Sequence, residues 1–143
     1  MQNNPIIIEK TYNAPVAKVW KALADKNEMR KWYFDVSDFK PEVGFEFQFS
    51  GKGSDGTEYV HLCKVTEAIP NKKIAYTWVY RDLGGDSLLT FELFDESDKT
   101  RVKLTHAGLE TFPSNLKDFT RESFMGGWNY FTSEALPKYL ESN

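Results

Sequence analysis

One cysteine, two histidines and no long apolar run are found in the 143 residues of this chain. A lone Cys63 can form neither an intramolecular disulfide nor a cysteine-cluster metal site. The three consecutive isoleucines at positions 6–8 are too few for the apolar core of a signal peptide or for a membrane span. Glycosylation sequons are absent, and a soluble cytoplasmic protein without membrane insertion is the expectation. Basic blocks are also missing, and the net charge is −3. Nucleic acid is therefore not an expected partner, because phosphate backbones are bound through clustered lysine and arginine. His61 and His106 have no carboxylate at ligand spacing, so neither a metal nor any other cofactor is expected. No G-x-S-x-G segment is present to place a nucleophilic serine. The glycine-rich "GKGSDG" at 51–56 lacks the Lys-Ser/Thr and the following helix that a phosphate loop requires. Strand patterns flank it on both sides, which makes it a hairpin connection.

Aromatic residues, by contrast, are abundant. Eleven Phe, seven Tyr and four Trp make up 15% of the chain. A chain of this length reads as a single domain over 1–143, able to bury roughly 70% of its unfolded surface. So many stiff rings fit two descriptions: a densely packed aromatic core, or a cavity that rings line without collapsing.

Periodicity orders the elements. Residues 6–12 alternate and read as a strand. "NAPVAKVWKALAD" places Val16, Val19, Trp20 and Leu23 at helical spacing, with Pro15 near the first turn, where a missing N–H is harmless. "KNEMRKWYF" reads as a second short helix with Met29 and Trp32 inward. Trp20 and Trp32 are expected to pack these helices onto the sheet. The period then changes to two. "VGFEFQFSG" sets Phe45, Phe47 and Phe49 against Glu46 and Gln48. "TEYVHLCKVTEAI", "IAYTWVYRD", "SLLTFELFDE" and "TRVKLTHAG" continue the alternation across short turns, as in an antiparallel meander. An irregular "LETFPSNLKDFT" leads to a last helix with an aromatic stripe, Phe124, Trp128, Phe131, Ala135 and Tyr139. The sum is an α+β domain of about six antiparallel strands, with two short helices after the first strand. Its long C-terminal helix covers the sheet's apolar face.

These segments resemble a known family. "NAPVAKVWKALADKNEMRKWYF" is similar to the opening signature of the SRPBCC, or START-related, superfamily. Within it, the chain resembles the branch like the C-terminal domain of the Aha-type activator of the heat-shock chaperone ATPase. "VTEAIPNKKIAYTW", "TRVKLTHAGL" and "GGWNYF" match that branch's strand–turn–strand element, penultimate strand and last helix. The resemblance implies a helix-grip fold, a curved sheet gripping the last helix with an apolar cavity between them. It also implies three readings of function. The first is non-catalytic binding of a small hydrophobic or aromatic ligand of lipid, sterol or polyketide kind. The second is stimulation of a heat-shock chaperone, which would then be a partner. The third is a cyclase or aromatase.

Faces that should converge nominate Phe47, Phe49, Tyr76, Trp78, Phe91, Phe124, Trp128 and Phe131 as cavity residues. His106 alternates with Val102 and Leu104 and so points inward, either as a satisfied core histidine or as a polar anchor or proton-transfer group. His61 has apolar neighbours on both faces, and an edge or exposed position is expected for it. Cys63, mid-strand, reads as a packed thiol. Glu58, beside Tyr59, could reach the cavity mouth, but no second acid pairs with it for general acid–base work.

The last helix carries its own difficulty. Gly126, Gly127 and Pro137 interrupt it, at about 1 kcal/mol for each interior Gly and about 3 for an interior Pro. A helical projection sets Gly127 at the margin of the aromatic stripe, where sheet backbone or ligand can come close. The same projection sets Gly126 and Pro137 on the solvent side. A single bowed helix is expected over this stretch.

Overall fold

A computed structural model describes residues 5–53, 56–81, 83–113 and 115–142, the last without the side chain of Ser142. Ser54 and Asp55 of the expected hairpin connection, and Ser114 of the irregular segment, lie outside the described residues. Strand β1 (Ile6–Tyr12) is followed by helices α1 (Val16–Ala24) and α2 (Lys26–Trp32). Five strands come next: β2 (Glu46–Lys52), β3 (Glu58–Ile69), β4 (Lys73–Tyr80), β5 (Ser87–Glu96) and β6 (Lys99–Ala107). They form one antiparallel six-stranded sheet in the order β1-β6-β5-β4-β3-β2. The meander from β2 to β6 is local, and β1 joins it by pairing Ile6 with His106 and Tyr12 with Thr100. This is the helix-grip architecture.

Local chemistry explains the two short helices. Asp25 ends α1 in an extended conformation (φ −120°) and caps α2, its carboxylate accepting the Asn27 and Glu28 amides at 2.9 and 3.4 Å. One residue thus stops one helix and starts the next. Between β3 and β4 the chain turns at Asn71, whose φ of 65° suits a short polar side chain. Trp32 is buried in the core. Its indole N–H donates to the Ala22 carbonyl at 2.8 Å, and its ring meets Tyr33 and Phe131, so it ties α2 to α1 and to the last helix.

The last helix is continuous from Arg121 and starts three residues before its aromatic stripe. Thr120 caps it by accepting the Ser123 amide at 3.2 Å. Helix α3 (Arg121–Tyr130) runs straight through both glycines, widens into a π-helical turn at Phe131–Ala135, and continues as α4 (Leu136–Ser142). The wide turn follows from Pro137. Lacking an N–H, this proline cannot continue the α ladder, and its ring crowds the preceding turn. The Leu136 amide reaches back to the Phe131 carbonyl instead, five residues earlier. The Thr132 carbonyl is left without its helical donors, and the Tyr12 hydroxyl donates to it at 2.7 Å. Strand β1 therefore repairs the backbone that the proline disrupts, inside the core rather than through solvent. Pro137 is accordingly half-buried, not on the open face that the helical projection gives it.

Candidate functional site

A cleft of about 310 Å³ opens between the last helix and the β2–β3–β4 end of the sheet. Phe34, His61, Trp78 and Tyr80 line it from α2's exit and the sheet. Phe124, Gly127, Trp128 and Phe131 line it from the helix. Phe119 and Asp118 come from a short 3-10 turn (Lys117–Phe119) in the irregular segment. The rings lock one another: Trp78 edge-on to Trp128 at 5.3 Å, Phe34 tilted against Phe131 at 5.2 Å, Tyr80 edge-on to Phe119 at 4.7 Å.

Polar groups gather at the mouth. Tyr59 donates its hydroxyl to the Asp118 carboxyl at 3.3 Å, and Lys52 and Ser123 stand on the rim. The Tyr80 hydroxyl accepts the Trp78 indole N–H at 2.8 Å. Gly53 permits this crowding. A Cβ there would lie 2.2 Å from an Asp118 oxygen and 2.8 Å from the Tyr59 ring. Gly127 stands apart from this crowding. Nothing lies within 4 Å of its Cβ position, so open cleft rather than sheet backbone faces it.

Ten residues are nominated by sequence, and they divide into two groups. Trp78, Phe124, Gly127, Trp128 and Phe131 line the cleft. Phe47, Phe49, Tyr76, Phe91 and His106 are buried behind it and do not belong to its lining. His106 is fully buried on β6 with both ring nitrogens engaged. The Ser87 hydroxyl donates to the Trp78 carbonyl at 2.6 Å, so it accepts from His106 Nε2 at 2.9 Å. His106 Nδ1 in turn accepts the Trp128 indole N–H at 3.0 Å. That chain fixes the neutral Nε2–H tautomer. Burial depresses its pKa to about 3, so the ring stays neutral near pH 7. A core role with every polar atom satisfied is what the geometry gives it.

His61 differs from expectation. It is buried rather than exposed or at an edge, because the register sets it opposite Phe49 and Tyr80, both inward-facing. Its ring stacks on Phe49 at 4.3 Å and its Nδ1 donates to the Phe49 carbonyl at 3.3 Å. Burial, partly offset by carbonyl contacts with Phe49 and Tyr59, brings its pKa down to about 4. The same burial pushes the Tyr80 hydroxyl and the Cys63 thiol up, so both stay protonated and Cys63 is no nucleophile. Glu58 is exposed and outside the lining, and the acid at the mouth is Asp118. Among the described residues, no three His, Cys, Asp or Glu side chains converge as a metal site would require. No described helix is long and apolar enough to cross a membrane.

Residues 13–141 match the family described as Activator of Hsp90 ATPase homolog 1-like protein. The chain belongs to that family. Solved structures share its fold end to end. The MLL2253 protein of Mesorhizobium loti is 27% identical with a TM-score of 0.75, the match covering 98% of each chain. The CV1439 protein of Chromobacterium violaceum, at 21% identity, reaches a TM-score of 0.82 over 98% of this chain and 99% of its own. DynU16, a protein of the dynemicin biosynthetic locus, is 18% identical with a TM-score of 0.76, covering 98% of this chain and 48% of its own. No curated protein matches. Family membership and these shared folds thus account for the sheet, the gripped helix and the short helices after β1.

Proposed function

We propose that this family member is a non-catalytic binding protein that holds a small apolar or aromatic molecule in the cleft between β2–β3–β4 and α3. The observation that carries the reading is the wall itself, in which aromatic rings from five separate segments surround open space with a hydrogen-bonding rim at one side. Such a site takes an apolar body by contact and orients it by one or two polar atoms. Its volume is at the low end of small-molecule pockets, which favours a ligand of one or two rings over a sterol. Binding is preferred to turnover because the two histidines are buried and neutral, and His106 has no free lone pair or proton to offer.

The test is a titration of labelled protein with fatty acids, sterols and aromatic polyketides, read by chemical shifts. One-ring and two-ring aromatics are expected to move the Trp78 and Trp128 indole signals together with Phe124, saturably. A panel that leaves these residues unmoved, while the protein stays folded, sinks the proposal.

A further inference from the structure

A second recess lies on the far side of Phe131. It has a volume of about 490 Å³ and runs between the end of α2 and the π turn and α4. Trp32, Tyr33, Tyr130 and Phe131 supply its apolar walls, and Arg30, Lys31 and Lys138 supply three cations. Tyr130 is 53% exposed and meets Phe131 edge-on at 5.5 Å, so its ring is available on the recess side. The concentration of positive charge runs against the molecule as a whole, whose net charge is −3.

Helix electrostatics explain only part of this. Arg30 and Lys31 occupy the last turn of α2, where cations complement the negative helix end. Lys138 is on a different helix and reaches the recess from the opposite bank, so the dipole of α2 does not account for it. Asp25 acts on the Tyr139 hydroxyl, and the counter-charge in contact with the cations is Glu28. It is 3.4 Å from Lys31 and accepts the Tyr139 hydroxyl, which is the first cause holding its carboxyl below the ordinary range. The lining itself holds three cations and no carboxylate. Neither Arg30 nor Lys138 enters an ion pair among the described residues.

We infer that this recess is a second binding site, for a planar aromatic molecule bearing an anionic group. The ring lies against the aromatic walls, and the carboxylate or phosphate meets Arg30 and Lys138, with arginine able to engage it through two N–H groups. A neutral apolar ligand suits the sheet–helix cleft. An anionic one suits this recess. The two sites share the Phe131 ring as a common wall.

The experiment titrates isotope-labelled protein with naphthoate, naphthyl phosphate and, as the neutral control, naphthalenemethanol. Naphthoate or the phosphate is expected to shift Arg30, Tyr130 and Lys138 saturably, whereas naphthalenemethanol leaves them unmoved. Which anion binds more tightly distinguishes a carboxylate from a phosphate ligand. Arg30→Glu and Lys138→Glu, both at exposed positions, should each weaken the anion about fivefold and weaken it further together. Added salt should also weaken it. Circular dichroism checks that both variants fold. Equal binding of naphthalenemethanol, or affinity unchanged by charge reversal, overturns the inference. Shifts confined to His61, Trp78 and Phe124 overturn it as well, and leave the sheet–helix cleft as the binding site. If an acidic peptide with a central Phe binds these residues and naphthoate does not, the groove belongs to a protein partner and the small-molecule assignment fails.

Discussion

The two halves of the sheet solve the same packing problem with different side chains. Under β1, β6 and β5, aliphatic chains outnumber rings on the inner face: Ile6, Leu89, Leu93, Val102 and Leu104, all at or below 5% exposure, against Tyr12, Phe91 and His106. Under β2, β3 and β4 it is aromatic: Phe47, Phe49, His61, Tyr76, Trp78 and Tyr80. Aliphatic chains have rotamers enough to fill the space beneath a helix to near crystal density. Rings are flat and rigid, so they brace against one another at a few preferred angles, and here they leave open space beside the helix. The cleft opens at the aromatic end. What the comparison teaches is that one helix can close a core at one end and hold open a pocket at the other, according to which side chains meet it.

Acid offers the largest perturbation, and it falls on the aromatic half and its border. In the folded state His61 titrates near 4 and His106 near 3, against about 6.5 when unfolded. Above 6.5 both rings are neutral in either state, and the native fold has its full stability. Below it the unfolded chain takes up protons that the folded chain refuses. Stability is lost as pH falls from 6.5 toward 4, by about 1.4 kcal/mol per pH unit for each histidine. Denaturant midpoints measured across that range should fall accordingly, and His61→Phe should reduce the slope by about half. A flat profile between pH 6.5 and about 5 would contradict the burial assigned to both rings.

A pair of truncations sharpens the contrast at smaller cost. Leu104→Ala, in the closed half, should destabilise by about 3 kcal/mol, because a fully buried site cannot relax around the lost methyls. Phe34→Ala removes a larger group yet should cost only about 1.5 kcal/mol, since this half-buried ring already faces the cleft. Thermal or chemical melts rank the two directly. The reverse order would mean that the aromatic half is as tightly closed as the aliphatic one.

The same division governs what could be read from sequence. Alternation in "FEFQF" and "IAYTWVY" and the stripe on the last helix identify strands, helix and inward faces, because period is a property of neighbouring residues. Which inward residue lines open space is set by ring orientations among segments far apart in the chain. Thus Phe49 and Trp78 look alike in sequence, and only Trp78 reaches the cleft. His61 was hidden by half-buried Val60 and Leu62, which make both faces of β3 apolar. Asp118 and Phe119 lie in an aperiodic segment and gave no signal at all. The π turn depends on Tyr12, more than a hundred residues from the carbonyl it serves.

The adjacent glycines allow the finest test of the comparison, because their effects on stability should match while their effects on binding should not. Neither Gly126 nor Gly127 has an atom within 4 Å of its Cβ position, and both sit inside a regular helix. Replacing either by Ala should therefore stabilise the fold by about 0.5–1 kcal/mol, through helix propensity and a less flexible unfolded chain. Only Gly127 lines the cleft. Gly127→Ala should place a methyl in the ligand's space and weaken whichever aromatic molecule binds best, whereas Gly126→Ala should leave that affinity unchanged. Melting curves and binding isotherms of the two variants decide it. If both bind as the parent does, the helix face at Gly127 is not part of a binding wall, and the glycine pair needs another explanation.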